Sequence, residues 1–208
     1  MEMPEWAFWV LLILGGYLLG SMHFCRWIPL LFLKKDIVAL SEDGNPGTVN
    51  VFRHCGVGWG LLCLLFDLAK GFLPVFCAVR LLDCQSPWFA LALAAPVLGH
   101  GFSVFARFRG GKCIAASFGE LAALLWISPV FWVLAILYIV FSLARINPRR
   151  FRSMLTFSIF LPIAAGVEIA LGQFSAAAGC VLISLTALYK HWASKEEEAL
   201  PAEQAGQQ

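Results

Sequence analysis

Residues 113–144 read CIAASFGELAALLWISPVFWVLAILYIVFSLA, an apolar stretch that decides how the rest of the chain is arranged. One helix crosses a bilayer with about 20 residues, so this stretch is too long for a single crossing. Ser128-Pro129 interrupts it, and proline disfavours a continuous helix because it lacks an amide donor and restricts the residue before it. We therefore predict two helices here, of which the first is short.

Five further apolar runs flank this stretch, at residues 6–33, 57–82, 88–106, 154–171 and 174–189. The chain is 60% apolar and 13% charged, whereas soluble domains have about 45–50% apolar and about 25% charged residues. This composition excludes an ordinary soluble globule and a disordered chain. We predict an all-α, polytopic integral membrane protein with about seven transmembrane or partly spanning helices. One membrane domain, residues 1–193, precedes a polar tail, residues 194–208, that we expect to be disordered.

The lysines and arginines indicate the orientation, because cytoplasmic loops of membrane proteins collect them. All 15 except Lys70 and Arg80 fall in the segments 26–53, 107–112, 145–152 and 190–195. With seven helices these four segments lie on one side of the membrane, whereas an unbroken helix over 113–144 would put 145–152 on the other side. We therefore predict an N-terminus outside and a C-terminus in the cytoplasm.

The first of these segments contains a loop suited to tight turns. Residues 36–53 read DIVALSEDGNPGTVNVFR, with the Gly, Asn and Thr residues that favour turns and exposed backbone amides. Successive amides in such turns can bind an anion, and Arg53 adds a positive charge. An ordinary interhelical loop explains the same composition, and the residues alone leave both interpretations open.

The second segment places Gly110, Gly111 and Lys112 directly before a predicted helix. Amides at a helix N-terminus favour anions, and glycines let a phosphate approach the backbone. The segment does not match the nucleotide-binding P-loop pattern, so a nucleoside triphosphatase is not indicated. A glycine turn followed by a membrane-anchoring lysine is the simpler alternative. His100 and His191 border the same side and could hydrogen-bond a phosphate or transfer a proton near neutral pH.

Ionisable residues also occur inside the apolar runs. Asp67 and Lys70 lie three residues apart on one helix face and can form an ion pair, either purely structural or supporting a site. Glu120 lies in the short helix that begins near Cys113 and could face a cavity. The net charge of +2 is too small to argue for nucleic acid, and the scattered cysteines do not indicate a metal site.

In these segments the chain resembles the acyl-phosphate:glycerol-3-phosphate acyltransferases, the PlsY family of bacterial membrane enzymes. That family's first loop motif is close to SGNxGATNxxR, and residues 43–53 read DGNPGTVNVFR. Its DxxKG motif matches residues 67–71. Its second loop motif, close to GHxFPxFxxFKGGKGVAT, aligns with residues 99–116, GHGFSVFARFRGGKCIAA. A histidine at the exit of the last helix matches His191.

The chain departs from these motifs at several positions. Asp43 replaces the first-motif serine, Cys113 replaces a glycine, and Ser194 replaces an asparagine after the final histidine. A carboxylate at position 43 would either repel a phosphate or act as a base. Ser153 aligns best with a serine that the family has before its sixth helix.

The resemblance implies transfer of an acyl group from acyl phosphate to the 1-hydroxyl of glycerol 3-phosphate, which gives lysophosphatidic acid for phospholipid synthesis in the bacterial inner membrane. It points to catalytic roles for Asp43, Lys112 and His191. The expected substrate-binding residues are Asn45, Gly47, Asn50, Arg53, His100, Gly110, Gly111 and Ser153. Because acyl phosphate is already activated, no protein nucleophile is needed. We also expect neither metal nor cofactor. The expected partners are the two substrates and the bilayer, with no nucleic acid and no obligate protein partner.

Two alternatives remain open from the sequence. An acyltransferase of the same fold could use another acceptor, because the Asp43 carboxylate could bind an ammonium or a sugar hydroxyl. A transporter or a non-catalytic membrane binder would belong to another class. A transporter favours repeated halves and broken helices at mid-membrane, and the sequence shows one proline break and no repeat.

Overall fold

The computed structural model describes residues 4–194, and every regular element in that part of the chain is helical. The predicted all-α class is confirmed. The predicted tail, 194–208, lies outside the described residues except for Ser194. The α-helices are α1 Glu5–Ser21, α2 Phe24–Leu33, α3 Ile37–Leu40, α4 Thr48–Cys55, α5 Val57–Leu81, α6 Trp88–Gly101, α7 Ile114–Ala122, α8 Val130–Leu143, α9 Arg149–Ala170 and α10 Phe174–Ala193.

Helix length separates the full crossings from the partial ones. Within the described residues α5, α9 and α6 with the 3-10 turn after it are long and apolar enough to cross a membrane. The pair α1 and α2, bent by 46°, would be a fourth crossing if the two helices form one span. The apolar helix α8 has 14 residues and α7 has 9. The 20 residues of α10 reach about the length of a bilayer core. All seven predicted positions are therefore helical, and the shortest of these seven is the predicted fourth, α7.

The break at Ser128-Pro129 separates α7 from α8, as predicted. Pro129 directly precedes the first residue of α8, where its missing amide costs no helical hydrogen bond. The Ser128 hydroxyl bonds the buried Glu168 carboxyl of α9 and accepts from the Val130 amide. This turn is thereby fixed to a neighbouring helix.

The central helix is α6, which packs against α1, α5 and α10 and is buried along most of its length. Its contact with α1 depends on two glycines. A β-carbon at Gly99 would collide with the Tyr17 carbonyl, and one at Gly20 with the Pro96 backbone. Close packing of the two helices fixes the end of α6, where His100 lies.

Candidate active site

A cavity of about 1440 Å³ lies where both polar loops meet the helices. One end is lined by charged and polar side chains of the loop before α4, the start of α7, the start of α9 and the end of α10. The other end is apolar and runs between α5, α7 and α8. Of the eleven predicted site residues, nine line this cavity: Asp43, Asn45, Gly47, Asn50, Arg53, His100, Lys112, Ser153 and His191.

The loop before α4 is held by hydrogen bonds that converge on Asp43. The Asn50 side-chain amide donates to Asp43 Oδ1 at 2.9 Å, and the Asn45 backbone amide donates to the same oxygen at 3.2 Å. The Asn50 side chain also donates to the Asn45 carbonyl at 2.9 Å. Gly47 precedes α4 and packs against the Asn45 side chain, whose amide nitrogen lies 2.6 Å from the position that a β-carbon would take. These predicted binding residues therefore form one ordered turn.

Asp43 also joins the two loops, because its Oδ2 lies 2.9 Å from the Lys112 Nζ. Burial raises the pKa of the Asp43 carboxyl, but hydrogen bonds and charge from Lys112, Asn50 and Asn45 lower this pKa by more, so it lies below its ordinary value. The carboxyl is thus ionised at neutral pH and already bonded. An ionised carboxylate with a lowered pKa is a weak base, which argues against the expectation that Asp43 deprotonates an acceptor.

Gly110 and Gly111 do not line the cavity. The Gly111 amide donates to the His100 carbonyl at 3.1 Å. A β-carbon at Gly111 would collide with the His100 ring, and one at Gly110 with the His100 and Gly101 carbonyls. The structure therefore gives these two glycines a packing role at the end of α6, and their approach to a phosphate stays a prediction.

His100 belongs to a buried polar network beneath the loops. Its Nδ1 accepts from the Lys70 ammonium at 2.8 Å, which also donates to the Met22 carbonyl and pairs with Asp67 at 2.8 Å. The other Asp67 oxygen accepts from the Cys25 thiol at 3.0 Å. The predicted Asp67–Lys70 pair is confirmed, and it supports the site because it ties His100 to the break between α1 and α2.

His191 differs from His100 in having free ring nitrogens. Its side chain lines the cavity and is 1% exposed, yet neither nitrogen has a hydrogen-bond partner among the described residues. A buried imidazole without partners is costly unless a ligand completes its bonds. Its predicted role in handling a substrate is therefore consistent with its place in the cavity.

The start of α9 contributes residues that the sequence did not single out. Ser153 is buried in the cavity wall, and the same turn also places Arg149, Arg150 and Arg152 along the cavity. From the sequence alone these arginines counted only toward the cytoplasmic charge bias. The direction in which their side chains point depends on how α9 packs in the fold. The described lining holds five basic and three acidic side chains, and two of the acidic ones, Asp43 and Asp67, are paired with lysines.

The apolar end of the cavity is formed by one face each of α5, α7 and α8. Its described lining includes Leu64, Leu65, Leu68, Phe72, Ile114, Phe118, Phe131 and Tyr138. The floor is set by the contact of α5 with α7, where a β-carbon at Gly119 would collide with the Leu68 carbonyl. No group of three metal-ligating side chains occurs within residues 4–194.

Together these features define a membrane-embedded site that joins a cationic end to an apolar groove. The protein-family model described as glycerol-3-phosphate acyltransferase matches residues 10–197 of this chain. This chain belongs to the glycerol-3-phosphate acyltransferase family, which confirms the resemblance read from the motifs.

Relatives and solved structures agree with this assignment. The chain is 36% identical to a glycerol-3-phosphate acyltransferase of Maridesulfovibrio salexigens over 86% of this chain and 87% of the relative. It is 38% identical to a glycerol-3-phosphate acyltransferase of Shouchella clausii over 74% of this chain and 73% of the relative. The fold is similar to that of the integral membrane acyltransferase PlsY (YgiH) in its glycerol 3-phosphate form, with a TM-score of 0.76, 25% identity and 88% of each chain covered. For the lysophosphatidic acid form of the same protein the TM-score is 0.73 and the identity is 26%, with 88% of this chain and 87% of that chain covered.

Proposed function

We propose that this protein transfers an acyl group from acyl phosphate to the 1-hydroxyl of glycerol 3-phosphate, giving lysophosphatidic acid and inorganic phosphate. The observation that carries the proposal is the single cavity in which a cationic end meets an apolar groove. Both proposed substrates carry phosphate, and one also carries a long hydrocarbon chain. Family membership supports the acceptor, since solved relatives are described in glycerol 3-phosphate and lysophosphatidic acid forms.

The acceptor phosphate is assigned to the cationic end. Arg53 can present a planar fork to phosphate oxygens, and Lys112 supplies a point charge. The amides of Asn45 and Asn50, with the Gly47 backbone, lie beside them. Asp43 positions Lys112 and the loop, and its charge is already balanced by that lysine. This balance also weakens the case for an acceptor bearing an ammonium.

The reaction requires an acceptor oxygen to attack the acyl carbonyl carbon. The new carbon–oxygen bond forms, the bond from that carbon to the phosphate oxygen breaks, and the hydroxyl proton ends on the departing phosphate. His191, with its unpartnered nitrogens in the cavity, is the proposed carrier of this proton. Lys112 stabilises the developing negative charge, and His100 and Ser153 position the substrates from the cavity wall.

The acyl chain is assigned to the groove between α5, α7 and α8. Each methylene that is buried contributes about 0.8 kcal/mol of favourable transfer free energy. An apolar groove therefore binds a long-chain donor effectively. The chain is already activated as an acyl phosphate, so positioning and charge stabilisation supply the catalysis. No metal or cofactor is part of this proposal.

The proposed orientation puts the N-terminus outside a bacterial inner membrane and the tail, residues 194–208, in the cytoplasm. The charge asymmetry of the loops supports it. In this orientation the cationic end of the cavity faces the compartment that holds water-soluble glycerol 3-phosphate. Residues 1–193 act as one membrane domain that needs no obligate protein partner.

The experiment that tests the proposal uses purified full-length protein in lipid vesicles. Palmitoyl phosphate is supplied with glycerol 3-phosphate, glycerol or an amino alcohol, and both lysophosphatidic acid and phosphate release are measured. We expect turnover with glycerol 3-phosphate and background rates with the other acceptors. Turnover with palmitoyl-coenzyme A but not with palmitoyl phosphate would refute the proposed donor.

A further inference from the structure

Arg152 is a half-buried cation that lines the cavity, and the Nε atom of its guanidinium has no partner among the described residues. It lies in the first turn of α9, and this Nε atom is itself buried. None of the ion pairs within residues 4–194 involves it. A buried charged nitrogen without a partner is costly, because its hydration is lost and nothing replaces it. An anion in the cavity would complete this site.

The contact that Arg152 does make is with Tyr138 of α8. The guanidinium carbon lies 5.8 Å from the centre of the Tyr138 ring. A ring face attracts a cation but carries no net charge, so this contact orients the guanidinium without neutralising it. Ser153 and the N-terminal end of α9 lie beside it, and a helix N-terminus favours negative charge.

The Tyr138 ring contacts both Arg152 and the aromatic lining of the apolar groove. Phe131, Phe118 and Tyr138 form a continuous aromatic wall of the apolar groove, with ring centres 6.1 Å and 5.7 Å apart. Arg152 follows directly at the end of this wall. A phosphate that is joined through one carbonyl group to a chain lying along the wall would therefore meet Arg152.

We infer that Arg152 and Tyr138 form the binding site for the phosphate of the long-chain donor, separate from the acceptor site at Arg53 and Lys112. The inference rests on the proposed function for the identity of the donor. The motif resemblance gives neither residue a role. Arg152 then determines donor recognition, because an acyl phosphate offers it a dianion at the head of the chain and a thioester does not.

Steady-state kinetics in vesicles test this assignment. Arg152→Gln should raise the KM for palmitoyl phosphate by about tenfold or more, and leave the KM for glycerol 3-phosphate within about twofold. Arg152→Lys keeps the charge but loses the planar fork, so we expect a smaller rise in the same KM. Arg109→Gln is the matched control, since Arg109 is exposed on the same side outside the cavity lining.

A binding measurement separates this inference from the proposed function. Hexadecyl phosphate, which cannot donate an acyl group, should raise the thermal unfolding midpoint of the wild type and the Arg109→Gln variant. Its effect on Arg152→Gln should be much smaller. Tyr138→Phe should keep the response, because the ring is retained, and Tyr138→Leu should weaken it.

Each outcome decides one claim. A wild type that binds hexadecyl phosphate through Arg152 but never uses acyl phosphate would refute the proposed reaction and leave the anion site standing. A wild type that turns over acyl phosphate, with unchanged donor KM in Arg152→Gln and Arg152→Lys, would overturn this inference alone. An equal rise of both KM values would overturn it as well, since a general disturbance of α9 would then explain the data. If Arg152→Gln does not fold, the lysine variant decides.

Discussion

The Asp43 carboxylate and the Lys112 ammonium lie 2.9 Å apart and connect two loops that are remote in sequence. The same carboxylate accepts hydrogen bonds from Asn45 and Asn50. Three donors suited to a phosphate are thus gathered around one internal anion. Asp43 organises the proposed acceptor site, and it also competes for the lysine that the proposal assigns to the acceptor phosphate.

Removal of the lysine should affect the reaction strongly. Lys112→Ala should lower kcat/KM for glycerol 3-phosphate by about 10²-fold or more, because a positioned charge in a partly desolvated site is lost. Rates in vesicles, measured beside Lys35→Ala as a variant of an exposed lysine, check this. Near-normal turnover of a well-folded Lys112→Ala protein would mean that no phosphate is held there.

Removal of the competing carboxylate should have the opposite effect. Asp43→Ser frees Lys112 for the substrate and restores a hydroxyl, so we expect equal or higher kcat/KM with glycerol 3-phosphate. The measurement compares both proteins with glycerol 3-phosphate and with an amino alcohol. Loss of glycerol 3-phosphate turnover in Asp43→Ser would show that the carboxylate is required, which would revive the role of base.

The pH dependence of stability follows from the lowered pKa of Asp43. A carboxyl with a lowered pKa in the folded state contributes stability above its unfolded pKa, about 3.9, and loses it as pH falls through the folded value. The difference in unfolding midpoint between wild type and Asp43→Asn should therefore stay constant from about pH 7 to 5 and shrink below about pH 4. A difference that grows with acidity would contradict this assignment.

His191 should influence the chemical step more than binding. His191→Gln retains hydrogen-bonding capacity but cannot carry a proton, so we expect kcat to fall by about 10²-fold or more while both KM values change little. Single-turnover rates of acyl transfer give the most direct measurement. If KM rises and kcat does not change, His191 binds substrate without transferring a proton.

The glycine pair before α7 should be sensitive to added volume. Gly111→Ala forces a methyl group into the His100 ring, so we expect a loss of about 1–3 kcal/mol in stability together with reduced activity. Gly58→Ala is the matched control, because nothing lies within 4 Å of the position of its β-carbon. Equal unfolding midpoints for the two variants would show that the packing at His100 is not tight.

Local signals in the sequence predicted much of this architecture. Pro129 acts on its own helix, so the break between α7 and α8 could be placed from sequence. The Asp67–Lys70 pair follows from helical spacing alone. The first loop keeps the family's motif at Asn45 and Asn50, so the resemblance could locate this loop in the sequence.

Other features depend on contacts between distant residues. The packing of Gly111 on His100 follows from how the loop folds back onto α6, and spacing in sequence does not reveal it. The direction of the Arg152 side chain depends on where α9 begins and on its contact with Tyr138 of another helix, α8. In sequence it was one of several arginines beside a membrane helix.

The shortness of α7 has a consequence for where the product appears. With 9 residues it rises about 14 Å, less than half of a bilayer core of about 30 Å. In the proposed orientation it starts at the cytoplasmic face, so the part of the groove that α7 lines lies within the cytoplasmic leaflet. A lysophosphatidic acid formed there would enter the cytoplasmic leaflet directly from the groove, without passing through water.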